Sequence, residues 1–125
     1  MTREQLIELH SFLSAKALDL MTRKNQDYAG GGDPFSNFRA SSVLGIDPVL
    51  ALMVRCIDKF KRIESFVRKG ELKVKEESVQ DSILDVINYM VLLAGLLEER
   101  NDPQSMKGVG VPVPCDAYGK IGEPR

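Results

Sequence analysis

The chain has no tryptophan, a single histidine, two cysteines and only 6% aromatic residues. A lone histidine, His10, gives no histidine-rich metal site, and one on a helix is more often a surface or core residue than a catalyst. Cys56 and Cys115 lie far apart without the paired spacing of a zinc site, so they read as reduced thiols in packing or loop positions. Charge of one sign is also lacking: 17 basic and 18 acidic side chains give a formal net charge of −1. That gives no sign of the clustered basic excess of a nucleic-acid surface, and no nucleic-acid partner is expected. No unbroken apolar run reaches the ~18 residues a membrane span needs, and the N-terminus shows no signal-peptide layout. A cytoplasmic protein with no membrane partner is expected. What remains is an ordinary globular composition, 43% hydrophobic and 28% charged over 125 residues, which predicts one domain with a modest core.

Helical spacing dominates the chain. Leu6, Leu9, Leu13, Ala17 and Leu20 recur at that spacing between Thr2 and Arg23, with Thr2 as a cap. Residues 24–38, KNQDYAGGGDPFSNF, hold three successive glycines and a proline, which predict a loop of about 15 residues. Lys24, Asn25, Asp27, Tyr28, Phe35, Asn37 and Phe38 give that loop more hydrogen-bonding and stacking groups than a plain connector needs. It is not a phosphate-binding P-loop, because no Gly-Lys-Ser/Thr follows the glycines. Residues 39–46 read as at most one helical turn. Asp47-Pro48 then marks a helix start, and Gly70 its end. The predicted core face of that helix is Val49, Leu52, Met53, Cys56, Phe60, Ile63 and Val67. Residues 71–75 form a charged link. From residue 101 onward, four prolines and four glycines predict an irregular tail over 101–125, leaving 1–100 as the folded domain.

Residues 76–100, EESVQDSILDVINYMVLLAGLLEER, are the stretch the rest must surround. Glu77, Asp81, Asp85 and Asn88 fall within one wedge of a helix. The second half is apolar nearly all round and demands burial on every side. Two other long helices are too few to provide it, so a homo-oligomer, dimer or tetramer, is expected to complete the core.

Carboxylates at i, i+4 and i+8 repel one another on a bare helix, and a hard divalent cation removes that penalty. Asp58, from the preceding helix, supplies a carboxylate from the other wall. Arg55, Lys59 and Arg62 surround it in sequence and suit phosphate oxygens. This pattern points to a metal-bound polyphosphate. A plainer alternative stands beside it: Asp58–Arg62 and Glu64–Arg68 are i,i+4 pairs of a solvated face, and acids at a helix start favour the macrodipole.

The run D-S-I-L-D-V-I-N-Y-M-V-L-L-A, following a helix with R-C-I-D-K-F-K-R, resembles the MazG-like all-α NTP pyrophosphatase superfamily. K-N-Q-D-Y-A-G, D-P-F-S-N-F, D-K-F-K-R and D-x-x-x-D-x-x-N-Y, in that order, are similar to the phage nucleotide-modification-associated domain and the phage dATP/dGTP pyrophosphohydrolases. The resemblance covers roughly residues 20–99. It implies an oligomeric all-α helical bundle that uses Mg²⁺, or Mn²⁺ in its place. The implied reaction cleaves a nucleoside triphosphate, with a purine deoxynucleotide as the expected substrate, to the monophosphate and pyrophosphate. Asp58, Asp81 and Asp85 are then the expected metal ligands, with Glu77 as a further ligand or the base that orients water. Lys24, Arg55, Lys59 and Arg62 would contact phosphates, and Asn25, Asp27, Tyr28, Asn37 and Asn88 the base or sugar. Tyr28 or Phe38 would stack on the base. The chain departs from the family pattern at Val54 and Arg55, which stand where paired glutamates lie, and at Ser82, three residues before Asp85. Another phosphotransfer or modification enzyme, or a non-catalytic nucleotide-binding or assembly module, remains open on these residues.

Overall fold

The computed structural model describes residues 1–29, 32–70 and 78–101, excluding the side chains of 25–29. Glu77, the 71–75 link, Cys115 and the tail from residue 102 lie outside the described residues. Among the described residues the architecture is all-α, with no strand. Its elements are α1 (Arg3–Ala29), α2 (Ser36–Arg39), a 3₁₀ turn (Ala40–Leu44), α3 (Pro48–Lys69) and α4 (Val79–Asn101).

Helix starts and stops follow local chemistry. Thr2 and Gln5 form a capping box: Gln5 N–H donates to Thr2 Oγ1 at 3.1 Å, and Thr2 N–H donates to Gln5 Oε1 at 2.8 Å. Asp47 caps α3 by accepting from Val49 N–H at 3.2 Å, Pro48 takes the first helical position, and Gly70 ends the helix at φ 74°. α1 departs from expectation. It continues through Lys24 to Ala29, where a loop was predicted. The breakers begin only at Gly30, and KNQDYA contains neither Gly nor Pro, so an established helix propagates through it at little cost.

α4 packs mainly against α3 and along the second half of α1. Residues 1–12 of α1 are therefore all exposed, including Leu6, Leu9 and Phe12, and only Ala17 of its predicted core face is fully buried. On α3, Val49, Leu52 and Cys56 are buried as expected, whereas Met53, Phe60 and Val67 are exposed. Helical periodicity identifies an apolar stripe but not which part of it meets a neighbour. α4 meets α3 along the side carrying Leu52, Cys56 and Lys59, and the stripe Leu50, Met53, Ile57, Phe60 is left uncovered. α4 likewise leaves Met90 and Val91 exposed, so the chain by itself does not bury this helix on every side. In length and apolarity α4 is comparable with a membrane span, contrary to the absence expected from unbroken runs. Yet Ser82, Asn88 and Arg100 are turned into the protein.

Phe35, Phe38, Val49, Leu52 and Leu96 form the central cluster, with Tyr89, Leu92, Leu93 and Leu97 against it. The segment before α2 is held down by its own aromatics. Phe35 lies against Gly95, where an added Cβ would sit 2.9 Å from the ring. Arg39 bridges Asp33 at 2.5 Å and Glu99 of α4 at 2.5 Å. Burial pushes the Asp33 carboxyl up, but the Phe35 N–H and the Arg39 guanidinium outweigh it and hold it below its ordinary value. At the far end of α4, Arg100 pairs with Asp47 in a buried ion pair that joins the end of one helix to the start of another.

Candidate functional site

The three long helices converge on one polar knot. Asp85 of α4 receives Lys24 of α1 at 3.1 Å on Oδ1 and Lys59 of α3 at 2.9 Å on Oδ2. Asp85 is only 14% exposed and Lys59 19%, whereas Lys24 is 50% exposed. Each ammonium carries three donors and gives one to this carboxylate. The local charge is thus positive even with the acid present.

Beside the knot lies a cleft of about 490 Å³, within the usual range of roughly 300–1,000 Å³ for small-molecule sites. Lys24, Arg55, Asp85 and Asn88 supply its charged and amide groups, with Ser36 and Asn37 from α2. Met21, Pro34, Phe38, Tyr89 and Leu92 supply its apolar wall. The lining thus combines two cations, a carboxylate and amide groups with apolar and aromatic side chains. Arg55 lies one helical turn before Lys59 and stacks over the Phe38 ring, 5.3 Å from its centroid. Asn88 is buried and donates its Nδ2 to the Ala17 carbonyl at 3.0 Å. Its Oδ1 accepts no bond among the described residues.

Of the predicted site residues, the cleft brings together Lys24, Asn37, Phe38, Arg55, Asp85 and Asn88, with Lys59 on the far side of Asp85. It does not bring together the acids. Asp58 is exposed and absent from the cleft wall. It lies about 100° round α3 from Lys59. Asp81 is engaged in a second capping box: Ser78 N–H donates to its Oδ2 at 3.0 Å, while its own N–H donates to Ser78 Oγ at 3.1 Å. The Ser78 N–H and the Ser78 side chain hold its carboxyl below the ordinary value, outweighing the opposing effect of burial, and the charges of Lys16 and Lys24 act in the same direction. Arg62 is half-buried and off the cleft wall. Glu77 and the side chains of Asn25, Asp27 and Tyr28 lie outside the described residues, although the backbone of the last three is helical. Phe38 is a buried core residue whose ring already carries Arg55, which makes it a wall of the cleft more than an open stacking platform.

No group of three metal-ligating side chains occurs among the described residues. The arrangement therefore does not fit a cation caged by protein alone. It fits Mg²⁺ that arrives with a substrate, because that ion commonly takes one or two carboxylates and fills its octahedron with phosphate oxygens and water. Asp85 is the carboxylate that lines the cleft among the described residues, and both of its oxygens are engaged by Lys24 and Lys59. Tyr89 was missed from the sequence, although its position one turn after Asp85 was a usable signal. Pro34 and Ser36 were hidden because their contribution depends on how Phe35 and Phe38 anchor the segment. Comparison of the chain with known protein families, curated proteins and solved structures finds no match.

Proposed function

We propose that this chain is a MazG-like nucleoside triphosphate pyrophosphohydrolase that converts a (deoxy)nucleotide, with a purine dNTP as the favoured substrate, to monophosphate and pyrophosphate. The observation that carries the reading is a cleft lined by Lys24 and Arg55 together with amide and apolar groups, at whose edge Asp85 is held by Lys24 and, from behind the wall, by Lys59. Lys24, Lys59 and Arg55 grip the phosphate tail, while Asn37 and the Asn88 Oδ1 meet the sugar or base against Tyr89 and Leu92. Asp85 holds the substrate's Mg²⁺, with Glu77 and Asp81 the nearest further acids in sequence. That ion would neutralise phosphate charge and make bound water more acidic. The uncovered stripe on α3 and the exposed apolar residues of α4 support completion of the bundle by a second copy. Light scattering that gives a monomer would reject that part.

The deciding experiment incubates the protein with each nucleoside triphosphate and Mg²⁺ or Mn²⁺ and analyses both products. Pyrophosphate with a monophosphate supports the proposal. Inorganic phosphate or a transferred phosphoryl group points to another nucleotide-processing enzyme. A non-catalytic nucleotide-binding module is favoured by the dispersal of Asp58 and Asp81 away from the cleft. Binding without turnover of any nucleotide would establish that reading.

A further inference from the structure

The bridge Lys24–Asp85–Lys59 has a feature that neither a metal ligand nor an ordinary surface ion pair requires. Both carboxylate oxygens are taken, each by an ammonium from a different helix, and the carboxylate is itself nearly buried beside the cleft. A surface ion pair of exposed side chains has no reason to sit at the edge of a 490 Å³ cavity that Lys24, Asp85 and a third cation, Arg55, line together. An anion with two oxygens spanning two ammoniums is also the geometry a phosphate group presents.

We propose that Asp85 is an intramolecular stand-in for the ligand's phosphate oxygens. It engages Lys24 and Lys59, and a polyphosphate competes with it for the same ammoniums. Lys24, Lys59 and Arg55 then form a polyanion site that needs no metal for binding. The inference rests on reading the cleft as a polyphosphate site, and adds that the acid expected to aid the reaction opposes the first binding step. A polyphosphate carries a denser negative charge than one carboxylate, and Lys24 is exposed enough to swing toward it. Once the lysines turn to the ligand, both oxygens of Asp85 are released together. Anion binding therefore precedes any use of that carboxylate.

The test measures sodium tripolyphosphate binding by calorimetry at low salt with EDTA present, using the full chain. Wild type should bind, and Asp85→Asn should bind about tenfold tighter, the scale of one unit charge removed from a partly screened site. Lys59→Met and Lys24→Met should each bind more weakly. Circular dichroism melts establish that each variant is folded, and Asp85→Ser serves if Asp85→Asn is not. An Asp85 variant that binds no tighter than wild type, or a wild type that binds no tripolyphosphate without metal, overturns the proposal. Turnover is not read in this experiment. A protein that passes it yet cleaves no nucleotide loses the hydrolase reading alone, and one that hydrolyses nucleotides but fails it loses the stand-in alone.

Discussion

Replacing Asp47 by Asn separates two roles that one side chain plays. Asp47 accepts the Val49 N–H as the cap of α3, and it is the buried counter-ion of Arg100. Asn keeps a cap acceptor, and the Asp/Asn difference at a cap is a small fraction of a kcal/mol. What it removes is the charge. Asp47 and Arg100 are 8% and 6% exposed, so the guanidinium stays in the interior without this carboxylate. Breaking one partner of such a pair costs up to about 3–5 kcal/mol, less what the other interactions of Arg100 offset. For a domain of this size each kcal/mol moves Tm by roughly 2–8 °C, so a fall of about 6 °C or more is expected. Urea unfolding at matched protein concentration, with an unchanged slope, gives the difference directly. The double variant Asp47→Asn/Arg100→Met should recover at least about 2 kcal/mol, because removing both charges removes the mismatch. A single Asp47→Asn change costing less than about 1 kcal/mol would refute the argument, since that is the scale of an exposed pair.

Three further outcomes are expected. Gly95→Val places a Cβ 2.9 Å from the Phe35 ring, and should destabilise by about 1–3 kcal/mol in a thermal melt; an unchanged Tm refutes the close approach. Asp33 and Asp81 are both held below their ordinary values, so their links contribute stability above the unfolded carboxyl pKa of about 4 and lose it as pH falls through the lower folded values. Urea midpoints measured downward from neutrality should therefore drop on the acid side, and Asp33→Asn should flatten that slope; a parallel profile would count against it. Asp85→Asn should reduce nucleotide turnover by at least about a hundredfold while the helical circular dichroism is kept, and near wild-type activity would remove Asp85 from the reaction.

The sequence displayed most clearly what is decided within one helical turn. Thr2, Asp47-Pro48 and Gly70 announce helix ends because a cap or a left-handed residue needs only its neighbours. The Ser78-x-x-Asp81 box is equally local, but Asp81 belongs at once to the acidic stripe and to a helix start, and sequence position alone does not choose between them. The triple glycine at 30–32 does not reveal how far back a helix reaches, and α1 runs through Lys24–Ala29. Burial was the least legible property. Phe60 and Met53 share the apolar face of α3 with Leu52, and only the position of α4 decides that Leu52 is covered and they are not. The cleft was legible in residue types and not in partners. Lys24 and Asp85 stand 61 positions apart, and no local pattern records that their charges meet.

The bond from Asn88 to the Ala17 carbonyl has an effect some distance from itself. Ala17 and Lys24 are seven residues apart, so they lie on one line of α1, two turns and about 10 Å from each other. A small residue lets the two helices approach, and the amide latch then sets the roll of α1 about its long axis. That roll aims Lys24. The lysine's reach toward Asp85 is thus steered from Asn88, the residue that also borders the cleft, and losing this amide bond would loosen the mount of that cation.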